Sequence, residues 1–179
     1  MSYCVGSVNS IVFDCDGVLL NSNEIKTQAF FHTALPYGEE AATLLANYHI
    51  NNGGISRYHK FKYFLSEIIP SGVSGPGLEE LIIAFSLEVK KRLLKCEVSP
   101  CLFLLRKNMQ SIKWFIISGG DHDELNEVFK ERGLSEMFDG GIYGSPRTKQ
   151  EILDDLTDNN LIIFPSLFLG DSKYDHEVA

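Results

Sequence analysis

Residues Ser10–Ser22 have the sequence SIVFDCDGVLLNS. It opens with a short apolar run, Ser10–Phe13, which is typical of a strand buried on both faces of a parallel sheet. The run ends abruptly at the polar sequence Asp14-Cys15-Asp16-Gly17. Ligands bind beyond the carboxyl ends of the strands in an open parallel sheet, so this polar sequence is predicted to lie at a functional edge.

Two further apolar runs have the same form, Trp114–Ile117 and Ser166–Leu169. Each leads into a loop that contains glycine and polar residues. Helical patterns cover Glu124–Arg132 and Thr148–Leu156, where apolar residues recur at helical spacing. Strands that alternate with helices predict an α/β fold, here a Rossmann-like parallel sheet.

The segment 21–96 has a different character. It contains four helical stretches and no convincing strand, and its loops at 51–54 and 70–77 are rich in glycine, asparagine and proline. We therefore predict an α-helical cap over 21–96, inserted into a core made of residues 1–20 and 97–179.

Composition excludes several classes of protein. The 179 residues include 16 Lys+Arg and 24 Asp+Glu, for a net charge of −8, and 44% are hydrophobic. These values exclude a disordered chain, and the acidic balance argues against nucleic acid as a partner. No apolar stretch is long enough to span a membrane, and the N-terminal sequence lacks the features of a secretory signal. The four cysteines form no C-x-x-C pair, so we expect a reducing, cytoplasmic location.

The pair Asp14 and Asp16 is suited to acid–base chemistry. Two residues apart in extended chain, the side chains project to the same side. One ionised carboxylate can act as a nucleophile while its neighbour acts as acid and base. A simple polar turn is the alternative. A calcium loop of the EF-hand type is excluded, because Gly17 comes too early in the sequence.

Three other polar clusters lie near predicted strand ends or helix starts. Ser118-Gly119-Gly120 could cradle an anion with its backbone N–H groups and hydroxyl, or could be an ordinary loop. Lys149 lies near a helix start and could be merely solvated. Asp171 and Asp175 offer oxygen ligands for a hard divalent cation, although Asp171 could instead cap a helix.

Taken together, the four stretches FDCDGVLLNS, FIISGGD, GSPRTKQEIL and FLGDSKYD resemble the four motifs of the haloacid dehalogenase-like hydrolase superfamily. The resemblance covers essentially the whole chain. It is strongest to the branch with a helical cap after the first strand, which includes β-phosphoglucomutase and phosphoglycolate phosphatase.

The resemblance implies a role for each motif residue. Asp14 matches the nucleophile that forms an aspartyl-phosphate, and Asp16 matches the general acid and base. Ser118 and the Gly119 amide match the groups that hold the transferring phosphoryl. Lys149 matches the lysine that neutralises the nucleophile and the phosphoryl oxygens.

The resemblance also implies a Mg²⁺ site. Its predicted ligands are Asp14, Asp16 through its backbone carbonyl, Asp171 and Asp175. Such a cation agrees with the charge neutralisation that phosphoryl transfer requires.

In the predicted cap, the sequence Gly54-Ile55-Ser56-Arg57 is similar to a substrate-contacting loop of β-phosphoglucomutase. Arg57 is therefore a candidate substrate contact, with Lys60 as a further candidate. An ordinary surface arginine is the alternative for Arg57.

The second aspartate of the Asp14–Asp16 pair favours phosphate esters, because the dehalogenases and phosphonatases of the superfamily lack it. We expect a Mg²⁺-dependent phosphatase that hydrolyses a small phosphorylated metabolite. A β-phosphoglucomutase-like sugar phosphomutase is the alternative within the same chemistry. The chain stops inside the helix that Asp175 opens, so the family's C-terminal strand and helices are expected to be missing. A truncated, non-catalytic phosphate-binding or signalling module is therefore the alternative of another class.

Overall fold

A parallel four-stranded sheet forms the centre of the protein. The structure, a computed structural model, describes residues 8–179. The strands are β1 (Ser10–Phe13), β2 (Lys113–Asp121), β3 (Gly141–Ser145) and β4 (Ser166–Leu169), in the spatial order β3-β2-β1-β4. All three strand pairs are parallel. The predicted α/β fold with a parallel sheet is confirmed.

Strand β1 lies between β2 and β4, and its four residues are all buried. Phe13, its last residue, pairs with Ile116 of β2 and Leu169 of β4. The polar segments that follow these three positions therefore emerge at the same edge of the sheet.

Core helices begin close to this edge. They are α5 (Leu102–Asn108), α6 (His122–Glu131), α7 (Lys149–Asp158) and α8 (Lys173–Val178). The side chains of Asp121, Thr148 and Ser172 accept hydrogen bonds from backbone N–H groups and so cap α6, α7 and α8. Each of these three helices thus starts at a defined residue directly after a strand or its loop.

The helical insert, as we call residues 23–93, lies between β1 and α5. It comprises α1 (Asn23–Ala34), α2 (Glu39–Asn51), α3 (Arg57–Tyr63) with a π-helical continuation over Phe64–Ile68, and α4 (Leu78–Leu93). No strand occurs within it. The two connections to the sheet meet at its base, where Leu20 bridges Val98 and the Asn21 N–H donates to the Glu97 carbonyl at 2.9 Å.

Aromatic packing holds the insert together. Phe30 of α1, Phe61 of α3 and Phe85 of α4 are buried, and their ring centroids lie 4.3 to 5.7 Å apart. This cluster is continuous with the apolar core on one face of the sheet, which includes Phe13 and Trp114. The insert and the sheet therefore share one hydrophobic core, and this fixes the insert over the strand ends.

Strand β3 was not predicted from the sequence. Cys4 and most of the N-terminal segment lie outside the described residues.

In the described part of the chain, β4 forms one edge of the sheet, with Leu167 partly exposed. No helix in residues 8–179 has the length and apolar character needed to cross a membrane.

Candidate active site

A cavity of about 530 Å³ opens between the strand ends and the helical insert. The sheet side contributes the predicted residues Asp14, Asp16, Gly119 and Asp171, and the insert contributes Lys26, His49, Arg57 and Lys60. Lys149 lines a smaller adjoining cavity of about 220 Å³ that also reaches Gly119. Ser118 and Asp175 are buried behind these walls.

Asp14 is 2% exposed, so a nearly dry carboxylate faces the cavity. The Lys149 ammonium lies 2.8 Å from Asp14 Oδ1 and forms an ion pair with it. Burial raises the pKa of Asp14 more than the Lys149 charge lowers it, to about 6. The Asp14 side chain is thus held at the cavity wall by the charge of Lys149.

Lys149 bridges the first and fourth motifs. Its ammonium pairs with Asp14 and also donates to the Asp175 carboxylate. Burial lowers the pKa of Lys149, but the two carboxylates outweigh it and the net shift is upward. Lys149 is therefore charged at neutral pH.

Three carboxylates converge as a possible metal site. Oxygen atoms of Asp14, Asp171 and Asp175 lie within 4.8 Å of one another. Asn23 Nδ2 donates to Asp171 Oδ2 at 3.0 Å and so positions this exposed side chain. An oxygen-only donor set of three carboxylates suits a hard divalent cation such as Mg²⁺.

Gly17 permits this convergence. Its φ of +75° lies in the left-handed region, and a Cβ atom there would come within 2.0 Å of Asp171 Oδ2. Gly17 of the first motif therefore allows Asp171 of the fourth motif to lie close to the first motif.

The Asp16 carboxylate points away from the carboxylate cluster. It accepts hydrogen bonds from the Lys26 ammonium and, at 2.6 Å, from Ser22 Oγ. Burial alone would raise the pKa of Asp16. Lys26 and Ser22 lower this pKa by a larger amount, so the net shift is downward. Asp16 is therefore ionised when the cavity is free of ligand.

Ser118 and Gly119 lie near the end of β2. Ser118 Oγ accepts the Gly120 N–H at 3.0 Å, and within residues 8–179 its own hydroxyl proton has no assigned acceptor. A Cβ atom at Gly119 would lie 2.1 Å from the Gly54 carbonyl oxygen. Only glycine allows the loop before α3 to rest directly on this motif.

Arg57 joins the insert to the core. Its guanidinium forms a two-pronged ion pair with Glu124 of α6, including a 3.0 Å bond from Nη1 to Oε2, and also donates to Ser86 Oγ. Both charged side chains are more than nine-tenths buried. The neighbouring Tyr58 hydroxyl donates to Asp121 Oδ2 at 2.6 Å. The charge of Arg57 is thus already neutralised, and its role as a substrate contact stays a prediction.

Lys60 lies deeper in the insert wall and is 1% exposed. Its ammonium nitrogen lies 2.8 Å from His49 Nδ1. Burial, reinforced by the nearby Lys26 charge, lowers the pKa of Lys60 to about 7. Burial and the two lysines likewise lower the pKa of His49 to about 3, so the imidazole is neutral.

Sequence reasoning missed several residues of the site. Lys26, His49 and Glu124 are single charged or polar residues in helices, and nothing in their spacing connects them with the motifs. Ser172 could have been found, because Ser172 and Asp175 form a capping box.

The model of the haloacid dehalogenase-like hydrolase family matches residues 11–179, which is nearly the whole chain. The chain belongs to the haloacid dehalogenase-like hydrolase family. The predicted family and the prediction that the protein is an enzyme are confirmed. No curated protein matches the chain by sequence.

Solved structures show the same fold at low sequence identity. A candidate phosphoglycolate phosphatase of Lactobacillus plantarum has a TM-score of 0.72 and 16% identity, and the match covers 97% of this chain and 82% of that one. CbbY of Rhodobacter sphaeroides, as a mutant in complex with xylulose-(1,5)bisphosphate, has a TM-score of 0.70 and 16% identity, with 96% and 81% covered. A candidate β-phosphoglucomutase of Thermotoga maritima has a TM-score of 0.62 and 18% identity, with 96% and 80% covered.

Proposed function

We propose that the protein is a Mg²⁺-dependent phosphatase that hydrolyses a small-metabolite phosphate monoester through an aspartyl-phosphate on Asp14. One observation carries the proposal: a buried carboxylate, Asp14, faces the cavity with a charged lysine on one side and two further carboxylates within reach of a shared cation.

In the proposed first step, an Asp14 carboxylate oxygen attacks phosphorus, and the bond between phosphorus and the leaving oxygen breaks. Burial makes Asp14 a poorly solvated and hence reactive nucleophile, while Lys149 offsets the repulsion between carboxylate and phosphate. Ser118 Oγ and the Gly119 N–H are proposed to hold the phosphoryl oxygens.

The leaving oxygen needs a proton, which we assign to Asp16. In the ligand-free structure Asp16 is ionised by its contact with Lys26. The first step therefore requires the Asp16 carboxylate to take up a proton from solvent water and to exchange its contact with Lys26 for one with the leaving oxygen. In the second step Asp16 takes a proton from the water that attacks the phosphoryl group, and Asp14 and inorganic phosphate are released.

Asp14, Asp171, Asp175 and the Asp16 backbone carbonyl are the proposed ligands of Mg²⁺. When bound, the cation supplies positive charge that stabilises the negative charge spread over the phosphoryl oxygens.

The helical insert is proposed to act as the cap that closes the cavity from water and selects the substrate. The loop before α3 rests on Gly119, and Arg57 and Lys60 are the predicted substrate contacts on this side. The boundaries of the cap at 21 and 96 and the cytoplasmic location stay predictions.

The test is phosphate release from p-nitrophenyl phosphate and from a panel of phosphorylated metabolites, with Mg²⁺ and with EDTA. We expect release that depends on Mg²⁺. A lack of release from every compound would contradict the proposal. Product analysis with a hexose 1-phosphate distinguishes a phosphatase from a phosphomutase, because an isomerised sugar phosphate would indicate a phosphomutase.

A further inference from the structure

Helix α4 carries large apolar side chains on its outer face. Ile83 and Leu87 lie one turn apart, and they are 61% and 75% exposed. Ala84 lies beside them and is exposed as well. Single exposed apolar residues are common on protein surfaces, but neighbouring ones along a helix indicate a surface that contacts another protein. We call Ile83, Ala84 and Leu87 the exposed α4 face.

The opposite face of α4 belongs to the hydrophobic core. Leu81, Phe85 and Val89 are buried there, and Phe85 also lines the candidate active-site cavity. Ile83 and Phe85 are two positions apart, so their side chains project about 200° apart around the helix axis. The exposed α4 face is therefore directed away from the cavity, and a protein bound to this face does not need to cover the cavity.

Charged residues of opposite sign lie at the two ends of the exposed α4 face. Glu79 and Glu80 precede it in the first turn of the helix, and Lys91 follows it in the last turn. All three residues are exposed. Lys91 forms no salt bridge with any residue in 8–179, whereas its neighbour Lys90 pairs with Glu127. The helix thus presents an apolar centre between an acidic start and a basic end.

We propose that the exposed α4 face is a homodimer interface, on which α4 of a second copy of this chain packs antiparallel about a two-fold axis. Ile83 and Leu87 lie equally far along the helix from residue 85, and so do Glu79 and Lys91. A two-fold axis at residue 85 therefore places Ile83 beside the partner's Leu87 and Glu79 near the partner's Lys91. Each contact occurs twice, because both copies use the same surface.

The chemistry of the exposed α4 face favours a second copy over an unrelated protein. Antiparallel pairing satisfies both its apolar centre and its charged ends without any other surface. The small side chain of Ala84 allows the two helices to lie close together near the axis. Helix α4 has 16 residues and is about 24 Å long, so an interface formed by this helix alone is small. We therefore expect a dimer with a dissociation constant in the micromolar range.

Sedimentation velocity of the 179-residue chain at about 1 to 200 μM tests the proposal. We expect the wild type to shift from monomer to dimer as its concentration rises. Leu87→Glu places a charge in each half of the apolar centre and should raise the dissociation constant at least about tenfold. Leu44→Glu is the matched control, because Leu44 is a half-exposed leucine on α2 of the same insert. This variant should dimerise as the wild type does.

Charge reversal tests the antiparallel orientation. Lys91→Glu places a negative charge beside the partner's Glu79 and should weaken the dimer by about three- to tenfold. Adding Glu79→Lys to this variant should recover part of the loss, because the two charges then exchange places. Lys62→Glu, at an exposed lysine on α3, is the control and should have no effect. Glu80 is left unchanged, because its Oε2 atom accepts the Gly77 N–H at 2.7 Å and stabilises the start of α4.

A wild type that stays monomeric up to about 200 μM would overturn the proposal, and this measurement requires no variant. A dimer that Leu87→Glu does not weaken would also overturn it, because such a dimer would use another surface. A dimer that Lys91→Glu does not weaken would contradict the antiparallel pairing. Circular dichroism of each variant measures whether it keeps the wild-type fold, which we expect because the substituted side chains are exposed.

Discussion

The candidate active site depends on the Asp14 carboxylate, whose ionised form the fold destabilises. The pKa of Asp14 is raised from 3.8 to about 6, first because the side chain is buried and in spite of Lys149. The folded protein thus binds this proton more tightly than the unfolded chain does. Stability from this group is present below about pH 4 and is lost as the pH rises to about 6.

Asp14→Asn should therefore stabilise the metal-free protein at neutral pH. We expect its melting temperature to exceed that of the wild type by at least about 2 °C at pH 7.5, with little or no gain at pH 4. Thermal unfolding in EDTA at the two pH values measures this. If the wild type were the more stable protein at pH 7.5, or if the difference in melting temperature did not depend on pH, burial would not destabilise the ionised Asp14 carboxylate.

The motif residues themselves could be predicted from sequence, because each directly follows an apolar run or opens a helix. Their partners could not. Lys26 reaches Asp16 and Arg57 reaches Glu124 only because the insert folds back over the strand ends. Such pairs depend on tertiary packing and leave no local pattern.

The ion pair of Arg57 and Glu124 connects α3 of the insert to α6 of the core. Because both groups are buried, loss of one partner leaves an uncompensated charge. Arg57→Met should lower the free energy of unfolding by about 3–5 kcal/mol. The double variant Arg57→Met with Glu124→Met should recover part of this loss.

Urea unfolding of the two single variants and the double variant measures the coupling. Lys173→Met is the control, because its partner Glu177 and Lys173 are both exposed. If Arg57→Met lowered the free energy of unfolding no more than the control does, the ion pair would not join α3 and α6. The same would follow if the effects of the two single variants on this free energy simply added.

Most helices and strands could be predicted from the spacing of apolar residues, but β3 could not. Its sequence, Gly141–Ser145, is short and contains two glycines, so it lacks the apolar run that marks a buried strand. Strand β2 extends beyond its apolar residues to Asp121, because Asp121 pairs with Ser145 of β3 after a register shift. Pairing with a neighbour, which the local sequence does not encode, decides both features.

The molecule carries a net charge of −8, and part of its negative charge is concentrated at the candidate active site. Asp14, Asp171 and Asp175 belong to different parts of the chain, and folding brings their oxygens together. A ligand that binds only this folded arrangement shifts the unfolding equilibrium towards the native state.

Mg²⁺ should therefore raise the melting temperature in a saturable manner, measured against NaCl of equal ionic strength. Asp171→Asn should weaken the response by at least about tenfold in Mg²⁺ concentration, because one ligand loses its charge. Asp158→Asn, an exposed aspartate on α7, is the control and should respond as the wild type does. Identical responses of all three proteins would contradict the assigned metal site.

Steady-state phosphate release from the best substrate of the panel tests whether Asp14 is the nucleophile of a phosphatase. We predict that Asp14→Asn lowers kcat/KM by at least about a thousandfold while the protein remains folded, and that Asp158→Asn does not. Phosphate release by Asp14→Asn within about tenfold of the wild type would contradict the account.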